Sequence, residues 1–411
     1  MDETSKPGVT AEDGHPVVLQ VVPGLETGGA ERGAVDIAVA LAKAGGTSLV
    51  ASQGGALEVE LRRTGITHIK LPLASKNPVV MYLNVGRLAR IIRDNKVDIV
   101  HARSRAPAWS AAAAARRTGC HFVTTFHGTY TISGGIKRRY NAIMTKGERV
   151  IANSDFTARH IRENYKADPD RIRTIRRGVD LDLFDPEKVS AERVIQLANR
   201  WRLPDGVPVI MLPGRLTRWK GHSLLISALK HLEDMNLRCL LVGSDQGRRA
   251  YRAELERLIA RQGLSSKVFL TGHCDDMPAA YMLADVVVSA SIEPEAFGRI
   301  VSEAQVMGCP AVVSDHGGVR EQVREGRTAF FFAPGDAGAL AQALRKPLGL
   351  DAKERESLAA EAQAHTRANF SKAEMCAGTL ALYREILRAK AVPPASAERR
   401  QPTASGTVAG S

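Results

Sequence analysis

The sequence predicts an α/β protein built as two doubly wound domains facing each other across a cleft. Three observations carry this. Short β-branched runs alternate with longer helical patterns, which is how parallel sheets covered on both faces are written in sequence. The series runs through the first half of the chain and starts again near position 208. It holds about twelve to thirteen strands, more than a closed eight-stranded barrel uses.

Taken in order, Val17–Val22 is the first expected strand, followed by a helix from about Glu31 to Ala44. Further strands are expected at 48–52, 66–70, 97–101, 121–126, 149–152 and 172–175. The second series is 208–212, 238–242, 268–270, 286–289, 311–313 and 329–332, again with helical stretches between. Phe184-Asp185-Pro186 and Leu203-Pro204-Asp205-Gly206-Val207-Pro208 flank the boundary, giving Rossmann-like domains at 16–190 and 191–371. A last helix, Glu374 to Ala389 within 372–390, is expected to pack back on the first domain. Residues 1–15 are polar and 391–411 are rich in Pro, Ala, Ser and Gly, so both ends are expected to be disordered.

With 44% hydrophobic and 25% charged residues, the chain can bury sizeable cores. Lysine and arginine outnumber acids by 57 to 44, so an anionic partner is expected: phosphates, a membrane surface or nucleic acid. Five scattered cysteines, at 120, 239, 274, 309 and 376, lack CxxC or Cys/His spacing and fit a reducing, cytoplasmic setting. The N-terminus has no signal-peptide apolar core, and no apolar run reaches the ~18 residues of a membrane-spanning helix.

The chemistry concentrates where strands end, because open α/β sheets bind ligands beyond the carboxyl ends of their strands. Glu295-Ala-Phe-Gly-Arg-Ile-Val-Ser-Glu303 places two carboxylates around Gly298 at an expected helix start. Were the segment wholly helical, the two Cα atoms would lie about 12 Å apart at ~1.5 Å per residue, and a bend at Gly298 would shorten that gap. That spacing suits two grips on a long ligand better than an acid/base pair on one bond, which needs roughly 5 to 9.5 Å. The competing reading is two solvated acids on a helix face. Gly214-Arg215-Leu216-Thr217-Arg218-Trp219-Lys220-Gly221 is a basic loop between strand and helix. Arg215 can fork onto phosphate oxygens and Lys220 adds a point charge; two surface cations are the alternative.

Gly28-Gly29-Ala30-Glu31-Arg32 opens the first helix, where free N–H groups attract an anion, although only the paired glycines of the dinucleotide fingerprint are present. His127 follows strand 121–126 and should project from its carboxyl end, as an active-site or a structural histidine. Gly317-Gly318 offers another anion-friendly turn. Asp180-Leu181-Asp182 has the spacing of a metal and diphosphate ligand but sits at the domain boundary, so no metal site is expected. Residues 101–150 hold nine lysines and arginines against one acid, Glu148. There, Lys137, Arg138 and Arg139, followed by Ile143 and Met144, could lay a basic helix on an anionic membrane, or form a solvated face. Nucleic acid is not expected, since interleaved aromatics are missing.

In this order the motifs resemble a retaining glycosyltransferase of family 4 (glycosyltransferase group 1), over about residues 16–390. The resemblance implies the GT-B fold, a nucleoside-diphosphate sugar as co-substrate, and no bound metal or other cofactor. It implies that Arg215 and Lys220 neutralise the diphosphate and that Glu303 binds the ribose. Glu295, with the backbone at Phe297 and Gly298, would hold the transferred sugar, beside His127 and the turn at Gly28 and Gly29. Arg177 departs from the Asn common before Gly-Val-Asp, with an altered interdomain turn as the expected consequence. The stretch His101-Ala-Arg-Ser-Arg-Ala-Pro-Ala-Trp109 resembles bacterial members that extend lipopolysaccharide cores or surface glycans. Arg103 and Arg105 would there meet an anionic acceptor, or stand as exposed cations at a helix start. A nucleotide-sugar 2-epimerase and a non-catalytic binding protein are the other functions compatible with this architecture.

Overall fold

The computed structural model describes residues 15–26, 28–130 and 134–391. The two ends expected to be disordered fall outside these residues, apart from His15 and Ala391. In the first half the strands are β1 (Val17–Val21), β2 (Thr47–Ser52), β3 (Thr67–Lys70) and β4 (Ile99–Ala102), then β5 (His121–Phe126), β6 (Arg149–Ala152) and β7 (Ile172–Thr174). The second half contributes β8 (Val209–Pro213), β9 (Arg238–Val242) and β10 (Val268–Gly272), then β11 (Val286–Ser289), β12 (Ala311–Ser314) and β13 (Phe330–Phe332). Among the described residues they form two parallel sheets, ordered β3-β2-β1-β4-β5-β6-β7 and β10-β9-β8-β11-β12-β13.

Central strands such as β4, β8 and β11 are buried at every position, because helices cover both faces and alternation is not required. Most expected strands match within two residues. The helix expected from Glu31 begins at Gly29, since Gly28 takes extended backbone and acts as its N-cap. Strand β4 starts two residues late because Asp98 turns the chain, its carboxylate accepting from the Val17 amide at 2.8 Å.

Both sheets reverse their winding between two central strands, β1 and β4 in one and β8 and β11 in the other. A crevice opens at such a switch point, beyond the carboxyl ends. The Gly28 turn follows β1, Arg103 follows β4, the Arg215–Lys220 loop follows β8, and Ser291–Glu295 follow β11. Topology therefore gathers the sequence motifs without any contact having been assumed.

Among the described residues, three ties join the halves. Val179 bridges Ser371, with Val179 N donating to Phe370 O and Lys372 N to Val179 O, both at 2.8 Å. Glu321 of the second half caps the helix Asp155–Tyr165 of the first, accepting from the amides of Asp155 (3.0 Å) and Phe156 (2.6 Å). The last helix, Lys372–Ala391, returns to the first sheet and packs Met375, Tyr383 and Ile386 against Val18, Ile99 and Val123. Among the described residues no helix is long and apolar enough to cross a membrane.

Candidate active site

In the second half, the loop after β8 is held against the end of β11 by backbone. Ile292 N donates to Trp219 O at 2.8 Å, and Gly221 (φ +74°) lies so close that a Cβ would stand 1.8 Å from Ala290 O. Only glycine fits there. This contact delivers Lys220 to Glu295: Nζ donates to Oε1 at 2.7 Å, with both side chains nearly buried. Ser291 Oγ donates to the same oxygen at 2.5 Å. Burial by itself pushes the Glu295 carboxyl up, but the Lys220 ammonium and these hydrogen bonds prevail and hold it below the usual carboxylate range. Arg215 is exposed and makes no ion pair among the described residues.

Glu295 lies outside the helix, which begins at Arg299 behind Gly298 at φ +89°. The segment is therefore bent at Gly298, with the helix start expected there, and Glu303 sits one turn inside the helix. Its side chain is 7% exposed; Oε1 accepts from Arg299 Nη2 at 2.8 Å and Oε2 from Tyr281 Oη at 2.9 Å. Neither glutamate is a solvated surface acid. Gly317-Gly318, expected as an anion-binding turn, serves a structural role here: Gly318 N donates to Glu295 O at 2.8 Å and so fixes the segment. Gln322 Nε2 donates to Phe297 O, fixing its other end.

In the first half, His127 stands at the end of β5, half-buried, with its Nε2 closed off from solvent. Burial first, then the charges of Arg177 and Arg103, pushes its pKa well below the usual imidazole value, so the ring is neutral. Arg177 Nη1 donates to its Nδ1 at 3.4 Å. The other arm of Arg177 donates to Gly29 O, so Gly29 meets a protein cation. The Glu31 carboxylate lies over Gly28, 2.1 Å from where a Cβ would be. Burial, with repulsion from Arg299 across the cleft, lowers Arg177 to about 9. Arg177 thus does more than alter an interdomain turn.

Arg103 and Arg105 are not exposed helix-start cations. Arg103 is buried and donates Nε to Gln20 Oε1 at 2.5 Å. Arg105 is half-buried, donating to Asn141 Oδ1 at 2.9 Å with its guanidinium 4.2 Å from the Tyr130 ring centroid. Lys137, Arg138 and Arg139 are exposed on the helix Gly135–Asn141. Ile143 and Met144, expected as their apolar companions, are instead core residues, and Ile136, 90% exposed, stands beside the cations. In Asp180-Leu181-Asp182, Asp180 pairs with Lys372 while Asp182 is 95% exposed, so the two carboxylates are not brought together as one site.

Several site residues escaped the sequence reading. Ser291 and Arg299 lie four residues before Glu295 and Glu303, a spacing that could have flagged them. Tyr281 and Glu321 act across the fold and carry no local signal.

Residues 27–183 match the family model for Glycosyltransferase Family 4, and residues 195–365 that for Glycosyl transferases group 1. The crystal structure of a glycosyltransferase from Rickettsia africae ESF-5 is 40% identical, covers 91% of this chain and 99% of that one, and superposes with a TM-score of 0.84. Anabaena HepE in complex with UDP and glucose shares the fold at 24% identity, covering 90% of this chain and 99% of that one, with a TM-score of 0.80. D-inositol 3-phosphate glycosyltransferase of Xylanimonas cellulosilytica is 34% identical over 251 residues, covering 59% of either chain. The chain thus spans about half to three fifths of the length of the curated relatives it matches first. With matches in both halves and a 40%-identical structure overlapping nearly end to end, the chain belongs to the group 1, family 4 glycosyltransferases and has their two-domain GT-B fold.

Proposed function

We propose that this protein transfers a sugar from a nucleoside-diphosphate donor to a glycan or lipid-linked acceptor, with retention of anomeric configuration and without a metal. The observation that carries this is the Lys220–Glu295 pair at the switch point of the second sheet. It holds a phosphate-binding cation and a hydroxyl-binding acid in contact at 2.7 Å, beside the exposed Arg215. On this reading the donor lies on residues 191–371 and the acceptor on 16–190. Arg215 and Lys220 meet the diphosphate, Glu303 the ribose, and Glu295 with the Phe297 and Gly298 backbone the transferred sugar. His127, neutral and half-buried, stands beside that sugar and takes no part in proton transfer near pH 7. The leaving phosphate accepts the acceptor's proton on the face it departs from. Catalysis then rests on pre-placed cations that stabilise charge developing on the diphosphate.

The acceptor is anionic on this reading. The basic balance of 101–150 supports it, as does the phosphorylated acceptor in the name of the curated relatives. Lipopolysaccharide or surface-polysaccharide synthesis at the cytoplasmic face of a membrane is the setting proposed, with the exposed helix Gly135–Asn141 as the membrane contact.

A panel of nucleotide sugars, without added metal, tests the assignment through melting temperature and release of nucleoside diphosphate. One donor should stabilise the protein and be slowly cleaved. Epimerised sugar with no cleavage would make the protein an isomerase, and no shift with any donor would remove the cleft's assigned ligand.

A further inference from the structure

Behind His127 lies a cavity of about 20 Å³, bounded by Arg103, Thr125, Asn153 and Arg177 and closed by Met375 and Thr379 of the last helix. It has room for one atom the size of a water oxygen. Its donors and acceptors do not balance. Arg103 Nη2, Arg177 Nε and His127 Nε2 are buried with no hydrogen-bond partner among the described residues. A guanidinium only donates, so His127 Nδ1 must accept from Arg177, and the ring proton sits on Nε2. All three unpartnered atoms are therefore N–H donors. Two acceptors of the wall have partners elsewhere, Thr125 Oγ1 with His101 Nε2 at 2.7 Å and Asn153 Oδ1 with the Thr157 hydroxyl at 2.9 Å, while the Thr379 hydroxyl donates to Met375 O at 2.9 Å.

Charge points the same way. Around Asp36, Arg32 pairs with Glu60, Arg299 with Glu303 and Lys372 with Asp180. Arg103 and Arg177 have no carboxylate within ion-pair distance among the described residues, and Asp36 itself is bonded to Arg32 at 3.0 Å. Asp36 acts on both guanidinium groups and Glu31 on Arg177 from beyond ion-pair distance, but two buried guanidinium groups with no directly paired carboxylate are unfavourable, and a bound anion reduces that cost.

We propose that this cavity is an anion site, in which one anionic atom is seated on Arg103 Nη2, Arg177 Nε and His127 Nε2. The atom is either a free halide or one oxygen of an acidic group on a bound sugar. The second source rests on the transferase reading above; the site itself does not.

The test is thermal unfolding of the full chain at constant ionic strength, with the reference anion isethionate replaced stepwise by chloride, bromide or formate. Nucleoside diphosphates are titrated in parallel. A saturable rise in melting temperature is expected in the wild type, with apparent affinity at least about tenfold weaker in Arg177→Asn and Arg103→Gln. Preference for halide assigns a resident ion, and preference for formate assigns a substrate carboxylate. A flat response to all three anions overturns the site. So does a bromide-soaked crystal with no anomalous density between the two arginines, a result that stands even where the variants fail to fold. A lost nucleotide response beside an intact anion response rejects the donor assignment alone.

Discussion

Lys220 and Glu295 are both nearly buried, so each depends on the other's charge. Lys220→Ala leaves a buried carboxylate unpaired, expected to cost about 3 kcal/mol of stability. It should also lower turnover about 10²-fold, the scale of losing one pre-placed group on a developing charge. Turnover near wild type in the folded variant would take Lys220 out of the site. The Glu295 carboxyl is held below its ordinary 4.5. A depressed pKa means its stabilisation is complete above about 4.5 and is lost as pH falls through the folded value. Melting temperature should therefore fall on acidification below pH 4.5, and Glu295→Gln should flatten that limb. An unchanged acid limb would show that the pairing contributes nothing. At this scale much was legible: His127 was placed at a strand's carboxyl end, and Arg215, Lys220, Glu295 and Glu303 at one edge of the second sheet. Arg177 was noticed, yet its role was hidden, because its partner Gly29 stands 148 positions away.

At the scale of elements, the interdomain cap by Glu321 joins a 3-10 turn of the second half to the helix Asp155–Tyr165 of the first. Glu321→Ala removes a carboxylate from a helix N-terminus, worth about 1 kcal/mol. Hydrogen exchange at the Asp155 and Phe156 amides should accelerate, while amides in β8 and β11 stay protected. Equal protection at 155 and 156 in the variant would mean that water or another group caps the helix as well. The elements themselves were legible because strand and helix periods are local properties. A bend between Glu295 and Glu303 was legible as a possibility at Gly298, but what holds it was not, since Gly318 and Gln322 grip the segment from another part of the chain.

For the whole molecule, the basic excess resolves into two populations. Some cations are buried around the cleft, as Arg103 and Arg177 are, and others crowd an exposed edge. Reversing Lys137, Arg138 and Arg139 to Glu should abolish sedimentation with anionic vesicles at physiological salt, and Ile136→Ser should weaken it. Persistent binding of the triple variant would move the membrane contact elsewhere. Stability should change little, because all three side chains are exposed.

By itself the sequence determined the alternation of strands and helices, its restart, and thus the two sheets with their chemistry at the carboxyl edges. Those follow from hydrophobic period and turn residues, which act over a few positions. Only the tertiary structure decided which charges are buried, which are paired and which are left over. Lys220 meets Glu295 across 75 positions, Glu321 meets Phe156 across 165, and Lys372 meets Asp180 across 192. Desolvation and Coulomb energy depend on those meetings, so the electrostatics of the cleft exist only once the chain has folded.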